Sequence, residues 1–163
     1  MAVPKLKEFL DTQKVKYVAI SHSAAFTAQE IAASAHVSGH ELAKTVMVKL
    51  DGELAMAVLP ASYKVDLNAL KEAANVKQAE LAGEQEFRSR FPECELGAMP
   101  PFGNLYDMPV YVDQSLTKDD VIAFNAGLHT ELIKLSYKDF EALVKPNVLK
   151  FATLQAGAAT PAK

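Results

Sequence analysis

The chain has 163 residues and a mass of 17.7 kDa, the size of one ordinary domain, so a single unit spanning 1–163 is expected. Half of its residues are hydrophobic and 23% are charged, with 7 Gly and 8 Pro, which excludes disordered, collagen-like and coiled-coil compositions. The formal net charge of −3 excludes a global basic field of the kind that holds DNA non-specifically. The excess of lysine falls in residues 1–50 (Lys5, Lys7, Lys14, Lys16, Lys44 and Lys49), so contact with a polyanion should favour that third of the chain. No apolar run approaches the ~20 residues that cross a bilayer, and Met1 to Lys7 is not a signal-peptide start, so a cytoplasmic protein without membrane contact is expected. One cysteine, Cys94, excludes an internal disulfide.

In chain order, Leu6, Phe9 and Leu10 behind Pro4 predict an amphipathic helix over 4–13. Tyr17 to Ser21 reads as a strand. Thr27-Ala-Gln-Glu30 has capping-box spacing and predicts a helix ending before Gly39. Lys44 to Leu50 and Glu53 to Leu59 are β-prone runs joined by Asp51-Gly52, whose tolerance of positive φ predicts a tight hairpin. Asp66 to Ala74 reads as a helix, Val76 to Ala79 as a strand and Gly83 to Arg90 as a short helix. Pro92 to Tyr106 is expected to be irregular, and long irregular segments inside compact domains are commonly functional. Strands are predicted at Pro109 to Asp113, Val121 to Phe124 and Glu131 to Leu135, the last after a turn with Gly127 and His129. Ser136 caps a final helix through Val144, and the Ala-rich tail from about 155 is expected to fray.

Four features compete for chemistry. Lys44 is either a snorkelling surface lysine or a positioned ammonium able to hold a phosphate or carbonyl oxygen. The loop Gly97-Ala-Met-Pro-Pro-Phe-Gly103 is either a rigid crossover or a segment that presents N–H groups to a ligand oxygen. His36 and His40 have the i, i+4 spacing of a zinc pair, with His22 as a third ligand, but Ser38-Gly39 between them argues against a helix and no metal is expected. Cys94 reads as a small hydrophobe ahead of a nucleophile.

The series His22, Ala43-Lys44-Thr45, Val58-Leu59-Pro60-Ala61, Val65-Asp66-Leu67, Gly97 to Gly103, Val112-Asp113 and Ala126-Gly127-Leu128-His129 resembles the YbaK/prolyl-tRNA synthetase-associated domain family from about His22 to Pro146. The resemblance implies a mixed α/β domain of the α+β type, a curved, largely antiparallel sheet surrounded by helices. It implies an editing hydrolase that deacylates mischarged aminoacyl-tRNA, with Lys44, Gly97 and His129 as the catalytic set. His22, Phe26, Pro100, Pro101, Phe102, Gly103 and Gly127 would line the substrate pocket. The family's size-selecting pocket residues have no clear match here, so the edited amino acid stays open, with a small one such as alanine on tRNA for proline as the expected case.

An aminoacyl ester is already activated, so its hydrolysis needs a positioned oxygen nucleophile and donors for the developing oxyanion, without a cofactor. The expected partner is the CCA end of aminoacyl-tRNA, with transient contact to an aminoacyl-tRNA synthetase. Single-stranded ends stack on aromatic rings, for which Tyr17, Phe26, Tyr63, Phe102 and Tyr106 are the candidates. The competing expectation is a module that binds tRNA ends or another acyl-nucleotide without turnover.

Overall fold

The computed structural model describes residues 4–21, 30, 33, 41–95 and 97–154. Helix α1 (Pro4–Thr12) leads to β1 (Tyr17–Ser21), and the hairpin β2 (Ala43–Leu50) and β3 (Glu53–Pro60) follows. Next come β4 (Tyr63–Val65), α2 (Leu67–Ala74), β5 (Ala79–Leu81), α3 (Glu84–Phe87) and a 3-10 turn at Arg88–Arg90. After the irregular segment, with a 3-10 turn at Gly103–Leu105, come β6 (Val110–Asp113), a 3-10 turn at Gln114–Lys118, β7 (Val121–Asn125), β8 (Glu131–Ser136), α4 (Tyr137–Val144), β9 (Asn147–Leu149) and β10 (Ala152–Leu154). The helix expected from Thr27 falls largely outside the described residues, although Glu30 and Ala33 are both helical. His22, Phe26, His36, His40 and the tail from 155 also lie outside them.

Local chemistry accounts for the main boundaries. Asp51 and Gly52 have φ of +51° and +86°, the left-handed pair that a two-residue hairpin turn requires. Asp66 caps α2 by accepting the Ala69 N–H at 3.1 Å, and Ser136 caps α4 by accepting the Asp139 N–H at 3.1 Å. Asn75 ends α2 in the left-handed region, and the Val76 N–H turns back to the Lys71 carbonyl. That closure uses up the start of the predicted strand at Val76 to Ala79, and pairing with β2 begins only at Ala79.

The strands form a five-stranded sheet in the order β5-β2-β3-β6-β9, a three-stranded sheet in the order β1-β8-β7, and the pair β10-β4. Antiparallel pairing predominates, as the resemblance implies, but β3–β6 and β6–β9 run parallel, so the main sheet is mixed. The central strand β3 is apolar on both faces, as a doubly covered strand must be. Met56 and Val58 enter the larger cluster, with α1, the three-stranded sheet and α4. Ala55, Ala57 and Leu59 enter a second cluster with Leu70 and Phe151. A bridge from Leu42 to Ala123 joins the beginning of β2 to β7, in parallel, and links the two sheets.

Candidate active site

The irregular segment is anchored by its aromatic residue. Phe102 is fully buried, with its ring 5.5 Å from Phe124, 5.6 Å from Phe140 and 6.1 Å from Phe9. A ring held on three sides cannot serve as a stacking plate for a base, so Phe102 belongs to the core. Tyr106 is buried as well, against Phe91 at 4.5 Å, and it too is removed from the stacking candidates. Pro100, Pro101 and Gly103 are also buried. A β-carbon at Gly103 would collide with the Met108 carbonyl oxygen and stand 2.6 Å from Val110 Cγ2, so this glycine serves close packing. The rear half of the Gly97–Gly103 loop is thus an anchor, and what remains near the surface is its beginning.

That beginning is a tight turn. The Ala98 N–H donates to the Glu95 carbonyl at 3.0 Å and Gly97 has a φ of +85°, the signature of a turn that places glycine third. The turn is laced to the end of β7. The Glu95 N–H donates to the Gly127 carbonyl and the Gly127 N–H to the Ala98 carbonyl, both at 2.8 Å. Gly127 has a φ of +98°, and His129 follows two residues later. A β-carbon at Gly97 would stand 3.3 Å from His129 Cε1 and 3.6 Å from Nε2, so the imidazole covers the glycine directly. Among the described residues the Gly97 N–H meets no backbone acceptor. Gly97 and the turn carrying Gly127 and His129, far apart in sequence, are therefore one structural unit.

Lys44 lies on another element, β2. Strand alternation puts it on the face of Val46 and Val48, opposite Ala43 and Met47. The parallel bridge at Leu42–Ala123 ties the chain two residues before Lys44 to β7, the strand that leads into the Gly127 turn. Its side chain is half-buried, and burial pushes the ammonium below its ordinary value because charge loses hydration there. Such a group gains most from an anion.

Cys94 is packed beside the turn with its Sγ 3.7 Å from the Tyr106 hydroxyl, and burial pushes the thiol up, away from the reactive thiolate form. Among the described residues no three His, Cys, Asp or Glu side chains gather as a metal site. No helix among them is long and apolar enough to cross a membrane. Sequence reasoning missed Glu95, an exposed acid whose role is visible only once the two loops are brought together.

Residues 22–143 match the aminoacyl-tRNA editing domain, and the chain belongs to that family. It is 24% identical over 152 residues to the prolyl-tRNA editing protein ProX of Acetoanaerobium sticklandii, covering 90% of this chain and 92% of that one. It is equally 24% identical over 152 residues to the multifunctional Ser/Thr-tRNA deacylase ProXp-y of Escherichia coli, covering 90% of each. Its fold is similar to the crystal structure of a protein assigned as a candidate trans-editing enzyme for prolyl-tRNA synthetase, with a TM-score of 0.78 at 18% identity over 91% of this chain and 95% of that one. A second solved structure, of the hypothetical protein APE2540, matches with a TM-score of 0.79 at 22% identity, covering 91% and 99%. Family and relatives place the chain among the aminoacyl-tRNA deacylases, which are ester hydrolases.

Proposed function

We propose that this protein is a trans-editing hydrolase that removes a small amino acid from mischarged tRNA, with alanine on tRNA for proline as the first substrate to test. The observation that carries the reading is the seating of His129 over Gly97. It brings an imidazole against a glycine whose N–H meets no backbone acceptor among the described residues, at the start of an anchored loop. The names of the two curated relatives support a small residue, one through prolyl-tRNA editing and the other through serine and threonine.

In the proposed reaction a water oxygen, assisted by the free hydroxyl of the terminal ribose, attacks the ester carbonyl carbon. Negative charge develops on the carbonyl oxygen, which the Gly97 N–H receives. The bond from carbon to the ribose oxygen then breaks, and that oxygen takes up the proton lost by water. The products are the free amino acid and an uncharged CCA end. Lys44 holds the terminal phosphate or the carbonyl end through its partly desolvated ammonium, and His129 fixes the substrate amine or relays the proton. The tRNA is gripped at few phosphates, so binding is modest and weakens with salt, and any synthetase contact is transient.

The test is a panel of charged tRNAs incubated with the purified protein and with its Lys44→Ala variant. Turnover of a small mischarged residue that Lys44→Ala largely removes supports the reading. Turnover untouched by Lys44→Ala overturns the mechanism. Binding of charged ends with no turnover on any pair identifies a non-catalytic module.

A further inference from the structure

We infer that Glu95 is a positioning residue, whose carboxylate sets the spacing between Gly97 and His129; the inference deepens the deacylase reading above and rests on it. Three groups of this one residue act on the site. Its N–H donates to the Gly127 carbonyl at 2.8 Å, and its carbonyl closes the turn around Gly97 by accepting the Ala98 N–H at 3.0 Å. Its side-chain Oε1 accepts the backbone N–H of His129 at 2.6 Å, across 34 positions of sequence.

The first two bonds are backbone bonds, available to any residue at 95. The third is specific to a side chain of this length bearing an oxygen acceptor. It grips the chain at the residue whose imidazole covers Gly97, and it is a short bond to an ionised acceptor, the stronger kind. The residue is exposed, so the bond adds little to global stability. Its value lies in geometry. The Gly127 bonds fix the turn at 127, the Glu131 N–H reaches back to the Leu128 carbonyl at 3.4 Å, and Glu95 Oε1 ties the His129 backbone between them to the turn that holds Gly97. A misplacement of ~1 Å at a reacting centre can cost on the order of 100-fold in rate.

The test compares Glu95→Gln, which keeps an acceptor oxygen at the same reach, with Glu95→Ala, which does not. Glu95→Ala is expected to lower kcat at least tenfold on the deacylated substrate with little change in KM or melting temperature, and Glu95→Gln to restore most of it. In parallel, amide NMR of the substrate-free protein should show the His129 and Gly97 resonances displaced in Glu95→Ala and near their wild-type positions in Glu95→Gln. Unmoved amides, or an Ala variant within twofold of wild-type turnover, overturn the inference. Equal loss in both variants overturns it too, because the charge rather than the bond would then be what matters. If the amides move as expected while the wild-type protein deacylates no tRNA, the positioning stands and the deacylase reading is what fails.

Discussion

His129 covers Gly97 so closely that an added methyl group would require the imidazole to give by a few tenths of an ångström. The ring would be 3.3 Å from the new carbon, and the glycine's φ of +85° is itself unfavourable for alanine by about 1–2 kcal/mol. Gly97→Ala is therefore expected to lose a modest amount of stability and far more turnover. If the Gly97 N–H is displaced as an oxyanion donor, the loss should be on the order of 100-fold to 1000-fold in kcat. Paired thermal melts and single-turnover deacylation separate the two, and an equal fall in both would reduce Gly97 to a scaffold position.

Lys44 should trade stability for function. Burial lowers its pKa from an ordinary 10.5, so the unfolded chain binds that proton more tightly than the folded one. The resulting penalty is full at pH values below the folded-state pKa and disappears as pH rises to 10.5. Lys44→Met should therefore melt no lower than wild type at neutral pH, and any gain should shrink toward high pH. The same variant should lose most deacylation, on the order of 100-fold if the ammonium stabilises developing charge. Melting curves across pH, set beside turnover, test both halves.

Asp113 is a carboxylate with no catalytic part in this scheme and a large structural one. It is 3% exposed, and Oδ1 accepts the N–H groups of Phe151 and Ala152 at 2.8 and 2.9 Å. Oδ2 accepts the Ser115 N–H at 3.1 Å and hydroxyl at 2.6 Å. Asp113→Ala strands these donors, at about 1–3 kcal/mol for each one left buried, so a loss of ~3 kcal/mol or more is expected in urea unfolding. Whatever folded protein remains should keep its kcat.

Neither thiol nor metal should be required. Cys94→Ser is expected to be nearly silent in turnover, since the proposed donor is the backbone of the neighbouring turn and burial pushes the thiol up, away from the thiolate. Activity should also survive exhaustive chelation. If Cys94→Ser abolished turnover while Gly97→Ala was tolerated, the nucleophile would be the thiol. If zinc and activity were lost together in His36→Ala, the chemistry would be metal-assisted.

The hairpin, the capped helices and the strands around Val121 and Glu131 were legible because each carries its own local signal: Asp51-Gly52, Asp66, Ser136 and runs of β-prone residues. The three-residue strands β4, β9 and β10 are too short to show a period, and tertiary pairing alone defines them. Parallel pairing of β3 with β6 left no local mark either. Gly97 and His129 were proposed as site residues through the family resemblance, whereas their contact was not visible in the sequence. Phe102 was misplaced as a pocket aromatic because a phenylalanine beside two prolines looks the same whether it faces a ligand or three other rings. Glu95 gave no signal, since an isolated surface glutamate is the most ordinary residue in a sequence.

The parallel strands also constrain how the chain can be made. The hairpin closes over a few residues, but β6 must return from Val110 to lie beside Met56, and β9 must then arrive from Asn147 to lie beside Tyr111. During synthesis the N-terminal hairpin can form early while one edge of its sheet waits for residues not yet translated. The carboxylate of Asp113 waits longer still, for the N–H groups of Phe151 and Ala152. A chain released after Val144 would carry every residue proposed for catalysis and still lack the edge strand β9 and the two N–H donors to Asp113, so its deficit would be in folding rather than in chemistry.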